Sequence, residues 1–417
     1  MKVGICTLGC KVNIYESEYI TSKLKEAGYE IGDFNDKNDI YVINTCTVTN
    51  NSDVKSRKMI HHARSLNKDA CLVVCGCFVE SNKNYDFKDV DIVIGNHNKS
   101  KIVSLIDEYF KNKRQLDVRE NIMKCPFDNM EINDFNEHTR AFVKIQDGCD
   151  NYCSYCVIPF VRGHSRSKDK DLVLEEISNL VRKGYKEIVL TGIHTGNYGK
   201  DINTTFSNLL EEILEIDGLE RIRISSIEIT ELDDKFFELL KNEKICNHLH
   251  IPLQSGCDKT LKLMNRKYDT DFFYKTIEKI RSIRENISIT TDVIVGFPDE
   301  TEEDFYDSLS FIEKVNFSKV HAFPYSRREN TRACAIPNHL SNEVKKKRNK
   351  KLIELSNKME HEYKLRCVGK KEKVLIEEND GTYSYGHTSN YLYLKIDKNL
   401  EKNKIYDIII EEKFLNL

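Results

Sequence analysis

Residues 140–156 of the chain read RAFVKIQDGCDNYCSYC. The apolar run Ala141–Ile145 predicts a short buried strand, and Cys149, Cys153 and Cys156 follow it on one loop. Three closely spaced thiolates can ligate three irons of a 4Fe–4S cluster. No fourth cysteine lies nearby, so one iron would keep an exchangeable position, as catalytic metal sites do. The stretch therefore predicts a strand with a catalytic iron–sulphur cluster at its carboxyl end. A zinc site is the alternative, but it would need a fourth ligand that is not evident here.

The sequence after this loop repeats the alternation of strand and helix. Six apolar runs separated by helical patterns predict a partial (β/α)6 barrel over residues 139–366. The predicted strands are Ala141–Ile145, Glu187–Leu190, Ile222–Ile227, His248–Leu253, Ile289–Val295 and Lys319–Phe323. Barrel enzymes carry their chemistry at the carboxyl ends of the strands, which is where the cysteine loop falls. Ser341–Arg366 is predicted as a long helix, and its basic run Lys345–Lys351 is a candidate for phosphate contacts.

Two further domains flank the predicted barrel, and together the three make an α/β protein. Residues 1–115 alternate short strands with helices, which predicts a doubly wound parallel sheet. Residues 116–138 lack periodicity and are predicted to be a linker. Residues 367–417 contain short β-rich runs divided by turns, which predicts a small antiparallel barrel. In it, Tyr383, Tyr385, Tyr391 and Tyr393 could stack on RNA bases or form one packed face of a sheet.

The N-terminal domain contains a second set of three cysteines. Cys10, Cys46 and Cys77 each follow a predicted strand. The carboxyl ends of parallel strands share one edge of the sheet, where ligands bind, so these thiols should converge in space. Because cysteine is a common interior residue, spacing alone leaves open that all three are core residues.

Composition limits the class of protein. The chain has 14 cysteines and a formal net charge of −3, so a nucleic-acid partner would have to meet a local basic surface. The first ten residues are too short for the apolar region of a signal peptide. No run approaches the ~18 apolar residues of a membrane span. We therefore expect a cytoplasmic protein without a membrane partner, in which cysteines stay reduced and can serve as metal ligands.

The spacing of Cys149, Cys153 and Cys156 resembles the signature of the radical S-adenosylmethionine (SAM) superfamily. That resemblance implies that SAM binds the open iron, with Tyr155 against its adenine or over the cluster. It also implies SAM contacts at Gly192 and Gly296, which end the second and fifth predicted strands. A glycine at a strand end can equally serve only to permit a tight turn.

The whole chain resembles the methylthiotransferase family. The resemblance rests on Thr7–Asn13 (TLGCKVN), Asn44–Thr49 (NTCTVT) and Gly76-Cys77, on the SAM-type core, and on a C-terminal domain of TRAM type. It implies that Cys10, Cys46 and Cys77 hold a second, auxiliary 4Fe–4S cluster that takes part in sulphur insertion. It further implies tRNA, an electron-donor protein and a sulphur source as partners, and a monomeric enzyme.

The family has branches that differ in substrate. TLGCKVN and residues 191–199 (TGIHTGNYG) most resemble the branch that converts N6-threonylcarbamoyladenosine, next to the tRNA anticodon, to its 2-methylthio derivative. The chain departs from that pattern at Asn330, where glycine is expected. The alternatives are the same chemistry on isopentenyladenosine in tRNA or on a ribosomal-protein aspartate. A non-catalytic, metal-dependent RNA-binding protein is the alternative of a different class.

Overall fold

The computed structural model describes residues 1–132 and 139–415 of the chain. Within these ranges no helix combines the length and the apolar character needed to cross a membrane. The architecture is the expected α/β arrangement, with two regions of parallel sheet followed by an antiparallel one. The end of the predicted linker, residues 133–138, and the last two residues of the predicted C-terminal domain lie outside the described residues.

The N-terminal domain is a six-stranded parallel sheet. Its elements are β1 (Lys2–Thr7), α1 (Lys11–Glu26), β2 (Glu30–Gly32), β3 (Ile40–Thr45), α2 (Asn50–Leu66), β4 (Cys71–Gly76), α3 (Cys77–Ser81), β5 (Ile92–Ile94), α4 (Ile102–Asn112) and β6 (Leu116–Asp117). The strand order is β2-β1-β3-β4-β5-β6. The direction of winding therefore reverses between β1 and β3, and this switch point is where doubly wound sheets bind ligands.

The edges of this sheet differ from the prediction. The two-residue strand β6 pairs with β5, so the sheet continues into the segment predicted as linker, and Ile122–Lys124 forms one further helical turn. The three-residue strand β2 was not predicted either. Both strands are too short to show an alternating apolar pattern. The central strands β3 and β4 are fully buried, as expected of a sheet covered on both faces.

The second region is the predicted six-stranded partial barrel. Its elements are β7 (Arg140–Lys144), β8 (Gln146–Asp147), α5 (Ile158–Arg162), β9 (Arg166–Ser167), α6 (Lys170–Arg182), β10 (Glu187–Thr191), α7 (Phe206–Leu214), β11 (Arg221–Ile224), α8 (Asp234–Leu239), β12 (His248–His250), α9 (Asp258–Leu263), α10 (Thr270–Ile283), β13 (Ser288–Val295), α11 (Glu302–Val315), β14 (Lys319–Pro324) and α12 (Asn342–Cys367). The parallel strands form two arcs, β7-β10-β11 and β12-β13-β14. A bridge between Ile222 and Ile245 links the arcs. The short strands β8 and β9 form a separate antiparallel pair beside the cysteine loop.

The C-terminal region is a four-stranded antiparallel sheet with its own apolar core. It comprises β15 (Lys371–Asn379), β16 (Ser384–Thr388), β17 (Tyr393–Ile396) and β18 (Ile405–Ile409). Arg221 and Arg223, from β11, join it to the barrel by donating to the backbone carbonyls of Lys373, His387, Thr388 and Ser389. The fully buried Glu187 accepts from both guanidinium groups, so one of the two positive charges at this junction is balanced by a buried carboxylate.

Candidate active site

The first cysteine loop is held at the carboxyl end of the barrel strands by backbone contacts. The Cys149 amide donates to the Gly163 carbonyl at 3.1 Å, and the Ser154 amide donates to the Met264 carbonyl at 2.9 Å. Gly148 enters the loop with a φ of +76°, and a Cβ there would clash with the His164 carbonyl. Glycine is therefore required immediately before Cys149. These contacts fix the three half-buried cysteines Cys149, Cys153 and Cys156 on one loop, as the sequence predicted.

Two nitrogen-bearing side chains point at the sulphurs of this loop. Arg266 donates to Cys153 Sγ at 3.3 Å and is ion-paired with Glu228. His194 Nδ1 lies 3.7 Å from Cys149 Sγ, and its Nε2 lies 2.6 Å from Glu231 Oε1. Although burial favours the neutral ring, the neighbouring Cys149 and Glu231 raise the pKa of His194 to about 10. Both side chains thus place positive charge beside the cysteine sulphurs. A nearby positive charge stabilises the thiolate form.

The spacing of the donor atoms distinguishes between a cluster and a single ion. Four donors around one zinc ion lie about 2.3 Å from the metal, which brings the sulphurs within about 4 Å of one another. In the described part of the chain, only His97, Glu120 and Cys125 bring three donor atoms within 4.8 Å of one another. The sulphurs of Cys149, Cys153 and Cys156 are therefore set too widely for one ion. Three thiols on one loop at a wider spacing suit a cluster of several irons.

The three predicted SAM contacts lie around this loop. Tyr155 is half-buried and its ring centroid is 6.5 Å from that of Phe297, in an edge-to-face arrangement. Space at Gly192 is tight, because a Cβ would lie 3.1 Å from Gln146 Oε1. Gly296 has a φ of +72° and the stem of Lys345 packs against it. Backbone conformation and packing thus already explain Gly296, and a role of Tyr155, Gly192 and Gly296 in SAM binding stays a prediction.

The second cysteine set lies at the switch point of the N-terminal sheet. Cys10 follows β1, Cys46 follows β3 and Cys77 begins α3 directly after β4. Gly9 has a φ of +112°, and a Cβ there would lie 3.2 Å from Cys46 Sγ. Burial raises the pKa of Cys46, and the nearby thiols of Cys77 and Cys10 raise it further. The topology therefore brings together three thiols that are far apart in sequence. Cys71 and Cys75 are instead buried in the core of the sheet.

The two cysteine sets face the same boundary between domains. Helix α3, which begins with Cys77, packs against α5, which follows the first cysteine loop. The Asn96 amide spans this boundary: its Nδ2 donates to Cys77 Sγ at 3.3 Å and to the Val161 carbonyl at 2.8 Å. Arg162 donates at 2.8 Å to Asn13 Oδ1, which also lies 3.8 Å from Cys10 Sγ. Sequence reasoning did not identify Arg162, Asn96, Arg266 or His194, because no local spacing marks them.

A buried network of charged side chains holds the boundary together. Glu16 of α1 accepts from Lys99, from Lys144 Nζ at 3.0 Å and from Arg162 at 2.9 Å. Asp147 lies 2.7 Å from Lys144 and 3.0 Å from Arg162. All five side chains are at least 95% buried. Because three cations face two carboxylates, the network carries surplus positive charge on the side of the second cysteine set. The pKa of Arg162 is raised because Asp147, Glu16 and Cys77 favour its charged form against burial.

Replacement of Arg162 by methionine tests the importance of this network. The change removes the buried hydrogen bonds of Arg162 to Glu16, Asp147 and Asn13. Lys99 and Lys144 still face the two carboxylates, so the free energy of unfolding should fall by about 3 kcal/mol through the lost charge-assisted hydrogen bonds. Anaerobic denaturant titration of the purified protein measures the loss. Arg182→Met, on the exposed face of α6, is the matched control and should change stability by less than about 0.5 kcal/mol. Equal stability of the two variants would contradict the role given to the network.

Two family models match parts of the chain. The family model described as Radical SAM superfamily matches residues 143–312, and the one described as Uncharacterized protein family UPF0004 matches residues 2–95. A threonylcarbamoyladenosine tRNA methylthiotransferase of Bacillus subtilis is 42% identical over 401 residues, covering 94% of this chain and 89% of the relative. The chain belongs to the radical SAM methylthiotransferase family. A tRNA-2-methylthio-N6-dimethylallyladenosine synthase of Acetivibrio thermocellus, 37% identical over 89% of this chain and 79% of its own length, represents another branch.

The solved structures agree on the fold. The radical SAM methyltransferase TsrM of Kitasatospora setae, determined with cobalamin and a 4Fe–4S cluster bound, superimposes with a TM-score of 0.58. The match covers 80% of this chain and 73% of that one at 14% identity, so it supports the fold and nothing finer. As a member of the methylthiotransferase family, the protein is a transferase that uses SAM and a 4Fe–4S cluster.

Proposed function

We propose that this methylthiotransferase acts on tRNA, replacing the hydrogen at C2 of N6-threonylcarbamoyladenosine with a methylthio group. The observation that carries the proposal is the placement of two three-cysteine sets on either side of one domain boundary. Family resemblance selects the substrate, since a relative of this name covers nearly the whole chain. The alternatives on isopentenyladenosine and on a ribosomal-protein aspartate share the chemistry, and no feature of the site favours them.

In this proposal the two sets of cysteines have separate tasks. Cys149, Cys153 and Cys156 hold the cluster that binds SAM, while Arg266 and His194 keep positive charge beside its thiolates. The chemistry that the bound cluster and SAM supply is reductive cleavage of SAM, which generates a carbon radical able to remove hydrogen from an unactivated position. Cys10, Cys46 and Cys77 would hold an auxiliary 4Fe–4S cluster, which would supply the chemistry of sulphur insertion. Tyr155, Gly192 and Gly296 line the SAM site.

The exposed face of the C-terminal sheet is the proposed RNA-binding surface. Tyr385 and Tyr393 stack with their ring centroids 6.4 Å apart, and Lys395 lies 4.1 Å from the Tyr383 ring. Aromatic rings beside a cation suit the stacking of single-stranded bases and the neutralisation of phosphates. Tyr391 does not belong to this face, because its ring stacks on His248 of the barrel at 4.7 Å. The basic run on α12 is also less available than its sequence indicates, because Arg348 is buried against Glu300.

The remaining assignments complete the proposal. Residues 1–115, together with β6, form the methylthiotransferase N-terminal domain and are followed by the linker up to 138. Residues 139–366 form the radical SAM domain, and 367–417 form the TRAM-like domain. The protein works as a monomer in the cytoplasm, where its tRNA substrate is found, and needs an electron-donor protein and a sulphur source.

Analysis of tRNA nucleosides from a strain lacking the gene tests the proposed function. We expect 2-methylthio-N6-threonylcarbamoyladenosine to disappear and the unmethylthiolated nucleoside to accumulate, as measured by mass spectrometry. Complementation with the wild-type gene should restore the product. Unchanged methylthio nucleosides would refute a role in tRNA, whereas loss of the methylthio derivative of isopentenyladenosine would assign the other tRNA branch. Loss of a methylthio group from a ribosomal peptide would assign the aspartate branch.

A further inference from the structure

The segment that follows the last barrel strand, residues 326–333, contacts both cysteine-bearing loops. It leaves the carboxyl end of β14, which is the end of a barrel where catalytic loops lie. The loop that follows Cys46, residues 47–53, leaves the carboxyl end of β3 in the N-terminal sheet. Hydrogen bonds run from the segment 326–333 to this loop and to the loop at 149–156. The segment therefore spans the boundary that the two cysteine sets share.

Arg328 joins this segment to the N-terminal domain. Its side chain is buried, and its Nη1 donates to Asp53 Oδ2 at 2.8 Å and to Asn50 Oδ1 at 2.7 Å. Its Nη2 donates to Thr47 Oγ1 at 2.8 Å. The Asn50 amide in turn donates to Ser326 Oγ at 3.1 Å. One guanidinium group thus bonds to three side chains of the 47–53 loop, and charge-assisted bonds of this kind are strong and directional.

The partners of Arg328 are tied directly to Cys46. Thr47 is the next residue in the chain, and its hydroxyl donates to Asp53. The Cys46 carbonyl accepts from Ser56 Oγ at 3.0 Å, about one turn after Asp53 on α2. Thr47 and Asp53 are both buried, so their bonds are shielded from competition with water. A displacement of Arg328 is therefore passed to the backbone that carries Cys46.

The same segment also holds the loop of the first cysteine set. The Ala333 amide donates to the Ser154 carbonyl at 2.7 Å. Arg332 donates to the Tyr152 carbonyl. Tyr152 and Ser154 are the two neighbours of Cys153 in the chain. Ala333 is fully buried, so this end of the segment is fixed to the barrel as firmly as Arg328 is fixed to the N-terminal domain.

The turn between the two contacts is short and internally bonded. Residues 329–332 alone separate Arg328 from Ala333. Thr331 Oγ1 donates to the Arg328 carbonyl at 2.7 Å. Asn330, at the position where glycine is expected, has a φ of +66°, and asparagine adopts this left-handed conformation more readily than most residues. The two contacts therefore cannot move far apart while the turn is intact.

We propose that Arg328 is a positioning residue that fixes the placement of the auxiliary cysteine set relative to the loop at 149–156. This inference rests on the proposed function, in which both cysteine sets act on one adenine. Reacting groups must be closely aligned, and a misplacement of about 1 Å can reduce a rate about 100-fold. The side-chain bonds of Arg328 go to residues beside Cys46 rather than to the loop that binds SAM. Its loss should therefore impair sulphur insertion and leave SAM cleavage intact.

Comparison of SAM cleavage with methylthio transfer in Arg328→Met tests the proposal. The reduced, reconstituted holoenzyme is given SAM and an anticodon stem-loop RNA that carries threonylcarbamoyladenosine. Mass spectrometry then quantifies 5′-deoxyadenosine and the methylthio nucleoside. We expect the iron content and the rate of SAM cleavage to remain those of the wild type, while methylthio product per 5′-deoxyadenosine falls about 10- to 100-fold. Arg328→Lys should recover part of this ratio, because an ammonium group can pair with Asp53 but lacks the planar fork that also reaches Thr47.

Hydrogen exchange of the same proteins gives a second measurement that does not depend on turnover. The peptide covering 47–53 should exchange about tenfold faster in Arg328→Met, as expected when hydrogen bonds to a charged group are lost. The peptide covering 149–156 should exchange as in the wild type, because the Ala333 contact remains. Asp53→Asn keeps the size of the side chain and removes its charge. It should produce the same changes in weaker form, and it takes the place of Arg328→Met if that variant does not fold.

Arg327→Met is the matched control for these measurements. Arg327 is the neighbouring arginine and is exposed. Its guanidinium group bonds to nearby Cys334, at 3.1 Å from Sγ and 3.3 Å from the carbonyl oxygen, rather than across the boundary. Its replacement should leave the product ratio and the exchange of both peptides unchanged. An unchanged product ratio in Arg328→Met, or a parallel loss of iron, SAM cleavage and product, would overturn the proposal.

The wild-type enzyme distinguishes failure of this inference from failure of the proposed function. If the wild type cleaves SAM but forms no methylthio product on this RNA, the proposed function is wrong and the inference falls with it. If the wild type forms the product and Arg328→Met has the same product ratio, only the inference is refuted. The role of Arg328 is thus tested separately from the identity of the substrate.

Discussion

Replacing Cys153 with alanine is expected to abolish both SAM cleavage and methylthio transfer. Two thiols on the loop at 149–156 are too few to hold a cubane with one open iron. Without the cluster, ordinary acid–base groups cannot remove a hydrogen atom from adenine C2, so product should fall below detection. Iron content of the anaerobically reconstituted protein should fall by about half, since one of the two proposed 4Fe–4S clusters is lost. The measurements are iron and labile-sulphide analysis and release of 5′-deoxyadenosine after reduction.

Cys257→Ala is the matched control for this experiment. Cys257 is a buried thiol of the same barrel that contacts Asp304 and lies outside both cysteine sets. Its replacement should leave iron content and SAM cleavage unchanged. Continued SAM cleavage by the Cys153→Ala variant would show that the loop is not the catalytic cluster site.

Simultaneous replacement of Cys10, Cys46 and Cys77 by alanine should separate the two clusters. Iron is again expected to fall by about half, because only the auxiliary cluster is lost. SAM cleavage should persist, because the loop at 149–156 is untouched. No methylthio product should form, since the source of the transferred sulphur is missing. Loss of half the iron with retained SAM cleavage is thus a different outcome from that of Cys153→Ala.

Cys6→Ala provides the corresponding control in the N-terminal domain. Cys6 is a half-buried thiol on β1, four residues before Cys10, and its removal should not affect iron content. Full retention of iron by the triple variant would refute the second cluster. In that case the convergence of the three thiols would be only a packing arrangement.

The convergence of the N-terminal cysteines could be predicted because Cys10, Cys46 and Cys77 each come shortly after a strand. Apolar runs mark strands, and the shared edge of a parallel sheet brings Cys10, Cys46 and Cys77 together. This convergence depends only on the order of strands and helices along the chain. The partial barrel and the C-terminal sheet could be predicted in the same way, from strongly periodic segments.

Residues that act through long-range contacts could not be predicted. Glu16 and Arg162 are 146 positions apart, and Arg266 and Cys153 are 113 apart. No periodicity links such partners, and a charged residue usually indicates a solvated surface. Arg348 is an exception to this rule: it belongs to the basic run Lys345–Lys351 and is nevertheless buried. Tyr391 is similar: the sequence pattern groups it with Tyr383, Tyr385 and Tyr393, but its ring stacks on His248 of the barrel.

The junction between the barrel and the C-terminal sheet limits how the enzyme can be divided. Arg221 and Arg223 donate to the carbonyls of that sheet while Glu187 holds them from the other side. In an enzyme truncated after α12, the C-terminal sheet would no longer cover β11. Glu187, Arg221 and Arg223, which are buried in the whole chain, would then be exposed to solvent. The sheet whose outer face is the proposed tRNA-binding surface is bonded on its other side to strand β11 of the barrel. Transplanting this sheet between relatives would therefore alter the contact with β11 as well as the proposed RNA-binding surface.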